Sequence, residues 1–238
     1  MLLGPLRHRF TALERAKEQG IGHYFVPRYT RVVDTAESKD NINKAYNLIS
    51  TSKVRNEMII DDVITCVARK QTPVILTRFK EHAKFLHDAL KEKADHVFLL
   101  YGDNSDKENT EIRVKLKQIP ENESLILVAT GQKIGEGFDF PRLDVLMLAA
   151  PVSFEGRLEQ YVGRLNRDYV GKEAVYVYDY IDSHVRYFDK MYAKRLRTYR
   201  KMGFSIWTQE LQPKQIINAI FDSVNYTEKF EQDIVESE

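Results

Sequence analysis

Two arginines three residues apart, Arg164 and Arg167, are the side chains of this sequence best suited to binding a phosphate. If residues 158–167 are helical, both arginines share one face with Gln160 and Gly163. The opposite stripe is apolar and consists of Leu158, Tyr161, Val162 and Leu165. Neither arginine has a carboxylate three or four residues before it, and Gly163 costs the helix about 1 kcal/mol while leaving room beside both guanidiniums. The pattern predicts a polyphosphate site, because arginine binds phosphate in a bidentate fork, and the alternative is a solvated basic face.

Apolar runs and amphipathic segments alternate along most of the chain. The apolar runs that predict strands are 73–77, 96–101, 125–129, 145–149 and 174–178. The amphipathic segments that predict helices are 41–49, 54–69, 80–91, 107–118 and 158–167. Continuous apolar runs are typical of strands that are buried on both faces. We therefore expect an α/β fold, with a doubly wound, mostly parallel sheet flanked by helices.

The two ends of the chain differ from this pattern. Residues 1–40 are predicted to be an irregular connector with one short strand at 30–33. Residues 41–185 hold the strand–helix alternation, and residues 186–238 predict a helical C-terminal extension with a basic helix near 190–201 and an acidic tail. The basic helix has a phosphate-binding face or a solvated one, and the sequence leaves both open.

Polar residues follow several of the predicted strands. Thr77 and Arg78 follow one strand, Gly102 follows the next, and Thr130 and Gly131 follow a third. The helix with the two arginines follows a fourth strand. Ligands of such sheets bind outside the carboxyl ends of the strands, so these four segments are expected to meet at one edge.

Composition narrows the classes of function. There are 36 basic and 35 acidic residues, a net charge of +1, so the total charge neither favours nor excludes nucleic acid. Cys66 is the single cysteine, which excludes an internal disulfide, and its apolar neighbours predict a core position in a helix. No apolar run approaches the roughly 20 residues that cross a bilayer, and the histidines lack metal-binding spacing. We expect no metal site, no membrane partner and a cytoplasmic location.

Three segments together resemble the second RecA-like lobe of superfamily 2 helicases and translocases. Residues 73–82 resemble motif IV, and residues 127–141 resemble motif V. Residues 160–167 match the motif VI pattern QxxGRxxR at every defined position. The likeness covers roughly residues 45–185, and residues 1–5 resemble the connection after motif III in helicases of the type III restriction and DNA-repair branch.

The resemblance implies a role for each matched residue. Arg167 corresponds to an arginine finger that reaches the γ-phosphate of ATP, and Arg164 to a second phosphate-facing arginine. Gln160 would help to position this helix at the lobe interface. The residues implied to border the nucleotide are Gly137 and Asp139. The residues implied to contact the nucleic acid are Thr130, Gly131, Thr77 and Arg78. ATP with Mg²⁺ is the implied cofactor.

The departures from the family pattern define the expected partners. The sequence contains no G-x-x-x-x-G-K-[ST] and no DExx-type segment, so we expect it to be the C-terminal half of a motor that needs a first lobe to hydrolyse ATP. Gln160 and Gly131 stand where DEAD-box RNA helicases carry other residues, which favours double-stranded DNA as the substrate. A non-catalytic binding module is the main alternative, and an unrelated nucleotide-using α/β enzyme is a weaker one.

Two local alternatives also stay open. Thr77 either caps the helix that begins near residue 80 or contacts phosphate, and the two roles are compatible. Asp139 is either a structural partner of Arg164 or a neighbour of the nucleotide, and again both can hold.

Overall fold

A seven-stranded parallel sheet organises the residues that the structure describes. The structure is a computed structural model, and it describes residues 20–102, 104–131, 134, 139–152, 155–167 and 169–207. The strands are β1 (Gly22–Tyr29), β2 (Pro73–Thr77), β3 (His96–Leu100), β4 (Leu125–Thr130), β5 (Val145–Leu148), β6 (Ala174–Ile181) and β7 (Ser205–Ile206). The helices are α1 (Ala36–Asp40), α2 (Ile42–Thr51), α3 (Lys53–Ala68), α4 (Lys80–Leu90), α5 (Asp106–Gln118), α6 (Glu155–Leu165) and α7 (Arg186–Lys201). The strands are ordered β3-β4-β2-β5-β6-β1-β7, and every pairing is parallel.

The central strands are covered on both faces. All five residues of β2 are buried, and Leu76 packs into one hydrophobic cluster while Ile75 packs into the other. The helices α6 and α7 contribute to the first cluster, and α3 and α4 contribute to the second. Cys66 is buried in the second cluster, as predicted. The predicted doubly wound sheet is therefore confirmed, because its apolar runs alternate between two helix-covered faces.

The first strand lies earlier than predicted. The sequence predicts a short strand at 30–33, whereas β1 spans Gly22–Tyr29 and pairs along its whole length with β6. Pro27 argues against a strand interior, since it lacks an N–H. The main-chain carbonyl of Phe25 faces β7. Alternate residues of a strand face the same neighbour, so the main chain of Pro27 also faces the β7 side. The strand β7 pairs only with Tyr24 and Phe25 and does not reach Pro27. The missing N–H therefore costs the sheet no bond to β7.

The C-terminal elements pack on the same sheet. The predicted basic helix is α7, which buries an aromatic and aliphatic stripe that includes Phe188, Tyr192 and Tyr199. Tyr199 stacks on Phe25 of β1, with ring centroids 4.5 Å apart. Residues 208–238, with the acidic tail, lie outside the described residues. The division of the chain at residues 40 and 185 stays a prediction.

No helix among the described residues is long and apolar enough to cross a membrane. The same residues contain no group of three or more His, Cys, Asp and Glu side chains arranged to hold a metal ion.

Candidate functional site

An open cleft of about 960 Å³ lies at the carboxyl ends of β2 and β4. Four of the predicted nucleic-acid residues line it, namely Thr77, Arg78, Thr130 and Gly131, and Gly102 after β3 joins them. Gln160 and Tyr161 of α6 form part of the opposite wall. The expectation that separate segments meet at one edge of the sheet is thus confirmed for the first half of α6.

The cleft is lined by more basic than acidic side chains. Arg78, Lys80 and Arg157 line it together with Glu81. Arg157 and Lys80 are not among the site residues predicted from the sequence, although Arg157 lies one helical turn before Tyr161. Three cations against one carboxylate make this cleft attractive to a polyanion.

Arg78 is held by an aromatic ring. Its guanidinium carbon lies 4.4 Å from the centre of the Tyr46 ring, and the side chain of Arg78 stays exposed. The Tyr46 hydroxyl donates a hydrogen bond of 2.8 Å to the main-chain carbonyl of Pro151, on the far wall of the cleft. This hydrogen bond joins α2 to the loop after β5. The Tyr46 ring held in this way orients Arg78 without neutralising its charge.

Thr77 makes a buried hydrogen bond to His82, and its predicted contact with phosphate stays a prediction. Its hydroxyl is buried and lies 2.6 Å from Nδ1 of His82, while Nε2 of His82 lies 3.0 Å from Oδ1 of Asn56. Asn56 donates its own amide N–H to the carbonyl of Ser50, so Oδ1 accepts from His82. Burial lowers the pKa of His82 to about 3, so the imidazole is neutral and Nδ1 accepts the Thr77 proton. That proton is therefore directed away from the cleft.

The predicted cap is wrong. The N-cap of α4 is Phe79, and it makes no side-chain capping bond. Thr77 instead anchors the end of β2 to the buried imidazole of His82.

Gly131 leaves room for the hydroxyl group of Tyr161, which lies close to its main chain. The Tyr161 hydroxyl donates a 3.0 Å hydrogen bond to the carbonyl of Gly131, which joins the end of β4 to α6. A Cβ atom at Gly131 would lie 2.5 Å from that hydroxyl oxygen, closer than van der Waals contact permits. Thr130, the last residue of β4, lies beside this contact and is half-buried. The sequence placed Tyr161 in an apolar stripe and did not predict the role of its hydroxyl.

Arg164 and Arg167 lie toward the other end of α6. The helix ends at Leu165, so Arg167 follows it rather than continuing it as predicted. An 11-residue helix is about 16 Å long, which separates Arg167 from the cleft. Asn166 accepts a 2.9 Å hydrogen bond from Nε2 of His23, near the start of β1. Arg167 therefore lies near the amino ends of the strands, and Gln160 lies with the cleft instead.

Asp139 pairs with Arg167, not with Arg164 as one of the predicted alternatives had it. Nε of Arg167 lies 3.4 Å from Oδ1 of Asp139, and the two side chains are 49% and 57% exposed. Arg167 is therefore both paired and exposed. Arg164 is half-buried in the last turn of α6. Gly137, the other predicted nucleotide neighbour, lies outside the described residues.

Lys172 is a residue that the sequence analysis missed. Its ammonium group donates to main-chain carbonyls on both sides of the Arg167–Asp139 pair: Pro141, Leu143, Leu165 and Arg167. A signal was present, because Lys172 follows Gly171, whose φ of +79° turns the chain shortly after α6. Lysine after the end of a helix commonly binds its last carbonyls.

Comparisons with known proteins find relatives that match part of this chain and solved structures that share its fold. A scan against models of protein families finds no match. The chain is 28% identical over 172 residues to "Transcript termination protein A18" of Yaba-like disease virus, covering 68% of this chain and 35% of that protein. It is 33% identical over 118 residues to "Putative helicase 161L" of Invertebrate iridescent virus 6, covering 49% of this chain and 22% of that protein. The match therefore spans a minor part of each relative.

Solved structures share the fold. UvsW of T4 aligns with a TM-score of 0.60 at 20% identity, covering 79% of this chain and 41% of that one. The SWI2/SNF2 ATPase core of Sulfolobus solfataricus, solved with double-stranded DNA, aligns with a TM-score of 0.50 at 13% identity, covering 77% and 50%. Dbp5 of S. cerevisiae, bound to RNA and ADP BeF3, aligns with a TM-score of 0.50 at 13% identity, covering 91% and 48%. The RecA-like α/β fold that the resemblance implies is therefore confirmed.

Proposed function

We propose that this chain is the C-terminal lobe of an ATP-dependent motor, a helicase or translocase that acts on double-stranded DNA together with a first lobe. The observation that carries the proposal is the arrangement around α6. One end of this helix borders a cleft lined by Arg78, Lys80 and Arg157, and Arg167 follows the other end in an exposed ion pair. A single rigid helix thus connects a polyanion cleft to a cation that can reach a partner.

The cleft suits a nucleic-acid backbone. Phosphate contacts in such complexes come from arginine and lysine side chains and from main-chain N–H groups. Arg78 and Arg157 supply the charges in this proposal, and the end of β4 at Thr130 and Gly131 supplies main-chain groups. Thr77 supports this edge through His82, since its hydroxyl proton is already used.

The Arg167 end suits a nucleotide phosphate. The contact of Arg167 with Asp139 is single, 3.4 Å long and exposed. Such a pair contributes about 0–1 kcal/mol, so a phosphate can replace the carboxylate at little cost. ATP, when bound mainly by the first lobe with Mg²⁺, supplies a γ-phosphoryl group on which negative charge grows during transfer. Arg167 would offset that charge, with Arg164 as a second cation from the preceding turn.

Double-stranded DNA is the substrate we favour over RNA. Gln160 and Gly131 differ from the residues of DEAD-box RNA helicases at these motif positions, and the similar ATPase core of Sulfolobus solfataricus was solved with double-stranded DNA. The similar Dbp5 was solved with RNA, so binding must be compared directly.

Arg167→Ala tests the nucleotide half of the proposal. The chain is produced with the first lobe of the same protein, and ATP hydrolysis is measured with and without duplex DNA. Loss of a transition-state arginine is expected to lower kcat by about 10³-fold. Arg69→Ala is the matched control, since Arg69 is an exposed arginine at the end of α3 that belongs neither to the cleft lining nor to the Arg167–Asp139 pair. DNA-stimulated hydrolysis that survives Arg167→Ala unchanged would rule out the arginine-finger assignment.

The cleft is tested on the chain alone. Fluorescence anisotropy with duplex DNA, single-stranded DNA and RNA of equal length measures affinity over a series of salt concentrations. Arg157→Ala and Arg78→Ala are each expected to weaken binding of all three and to reduce the salt slope by about 1, as removal of one phosphate contact does. Tighter binding of RNA than of duplex DNA would contradict the proposal that double-stranded DNA is the substrate. DNA binding by this chain, without any stimulation of ATP hydrolysis by DNA when the first lobe is present, would instead support a non-catalytic binding module.

A further inference from the structure

Lys172 connects two loops that carry the members of one ion pair. Its Nζ lies 2.8 Å from the carbonyl oxygens of Leu143 and Leu165 and 3.1 Å from that of Arg167, and it also donates to the carbonyl of Pro141. Pro141 and Leu143 follow Asp139, and Leu165 immediately precedes the loop of Arg167. One ammonium group therefore holds the main chain on both sides of the Arg167–Asp139 contact.

This arrangement is specific for a cation. The carbonyls at the C-terminal end of α6 have no partner within the helix and carry partial negative charge. Lys172 is half-buried, so main-chain oxygens take the place of the water that normally surrounds an ammonium group. An apolar side chain of the same length would leave these carbonyls without their donor.

A second anchor acts on the same loop from the other side. Asn166 is buried between Leu165 and Arg167 and accepts a hydrogen bond from His23. The amide of Asn166 also donates to the carbonyl of Val162, which continues the helical pattern by one residue. Arg167 is thus the first residue after a segment that β1, α6 and Lys172 all hold in place, while its own side chain stays exposed.

We infer that Lys172 is a positioning residue, which fixes the main chain of Arg167 so that its guanidinium meets the nucleotide phosphate in one geometry. The inference rests on the proposed function of Arg167. Lys172 touches no substrate in this scheme and acts only through the Arg167 loop. A displacement of about 1 Å at a reacting group can cost roughly 100-fold in rate, so loosening this loop should affect kcat.

The first test needs no nucleotide. Amide hydrogen exchange is measured on the isolated chain carrying Lys172→Met, with Lys93→Met as the control, because Lys93 is exposed between α4 and β3. We expect the segment 165–172 to exchange at least about 10-fold faster in Lys172→Met and unchanged in the control, as loss of local protection predicts. Unchanged exchange in this segment would overturn the inference. If Lys172→Met does not fold, Lys172→Gln, whose amide keeps two N–H donors without the charge, is expected to show faster exchange of the same segment by less than about 10-fold.

The second test uses the chain with the first lobe. Lys172→Met is expected to lower kcat by about 10- to 100-fold while the KM for ATP and the affinity for DNA change less than about 2-fold. Combined with Arg167→Ala, it should cause no further loss, because it acts through that residue. A further loss in the double variant would show a general structural role and would overturn the inference. If Arg167→Ala alone has no effect, the proposed function of Arg167 fails first, which separates the two outcomes.

Discussion

Arginine–aspartate pairs occur both inside this protein and at its surface, and they differ in burial, in the number of contacts and in the length of those contacts. Arg55 and Asp182 are fully buried and form two parallel hydrogen bonds of 2.9 and 3.1 Å. The exposed pair of Arg167 and Asp139 has one contact of 3.4 Å. The buried guanidinium is a fixed part of the structure, whereas the exposed one can exchange its partner for a phosphate.

The buried pairs also support the cleft. Besides its aspartate, Arg55 donates to the carbonyl of Ala149 at 2.9 Å. Arg195 of α7 pairs with Asp179 at 2.6 and 2.9 Å and donates to the carbonyl of Val152 at 3.2 Å. Both therefore hold the loop after β5, which forms one wall of the cleft. The interior arginines shape the cleft, and the surface arginine is available for chemistry.

Removing a buried arginine should give the largest effect. Arg55→Met leaves the Asp182 carboxylate buried without its cation, and we expect the free energy of unfolding to fall by about 3–5 kcal/mol. Urea denaturation measures this value, with the exposed Arg69→Met as the control. The double variant Arg55→Met with Asp182→Asn should be more stable than the single one, because it removes the buried charge. A double variant less stable than Arg55→Met would contradict the assignment.

Two titratable groups, the buried His82 and the half-buried Asp144, should give opposite pH dependences of stability. Burial lowers the pKa of His82 from 6.5 to about 3, so its contribution to stability is present above pH 6.5 and is lost as the pH falls toward 3. Burial raises the pKa of Asp144 from 3.8 to about 6, despite the N–H of Thr72 and the nearby charge of Lys172. The contribution of Asp144 is present below pH 3.8 and is lost as the pH rises through about 6.

Single substitutions separate these two contributions. The unfolding free energy of His82→Gln should decrease by about 2–3 kcal/mol between about pH 4.5 and pH 7, because the contribution of Asp144 then acts without the opposing one of His82. The same quantity should increase over that range by a similar amount in Asp144→Asn, whose amide oxygen can still accept from Thr72. The natural chain should lie between the two. Parallel pH curves for the two variants would contradict the opposite pKa shifts of these two groups.

The exposed pair should give the smallest effect on stability. Asp139→Asn removes the partner of Arg167, and we expect the free energy of unfolding to change by less than about 1 kcal/mol. Thermal denaturation at low and high salt measures it, and Arg55→Met serves as the buried counterpart. A loss above about 2 kcal/mol would mean that this pair is a structural contact and that Arg167 is not available to a phosphate.

The sequence predicted most of the sheet because that information is local. Continuous apolar runs such as those of β2 and β4 identify strands that are buried on both faces. The rule that ligands bind at the carboxyl ends of parallel strands then brought Thr77, Arg78, Thr130 and Gly131 together. Two predictions failed for local reasons. The first strand was not predicted at Gly22–Tyr29, because Pro27 is untypical of a strand interior. The predicted helix to Arg167 ends two residues earlier, at Leu165.

The partners of the charged residues could not be predicted, since they are far apart in the chain. His23 meets Asn166 across 143 positions, and Arg55 meets Asp182 across 127. The hydrophobic periodicity of the sequence does not predict such pairs, because they depend on the order of the strands in the sheet. Lys172 illustrates the point, because Gly171 marks a turn after the helix, whereas nothing in the sequence shows that the loop at Pro141–Leu143 lies beside it.

By itself, the sequence determined the parallel sheet, the order of the motifs and the presence of two arginines suited to phosphate, because hydrophobic period and residue type are properties of short segments. Only the tertiary structure decided what each arginine does. Burial separates Arg55 and Arg195, which lose water and must keep their aspartates, from Arg167, which stays in water and can change its partner. The physical reason is the cost of desolvating a charge, which depends on the packing of the whole fold and not on the residues next to it in the chain.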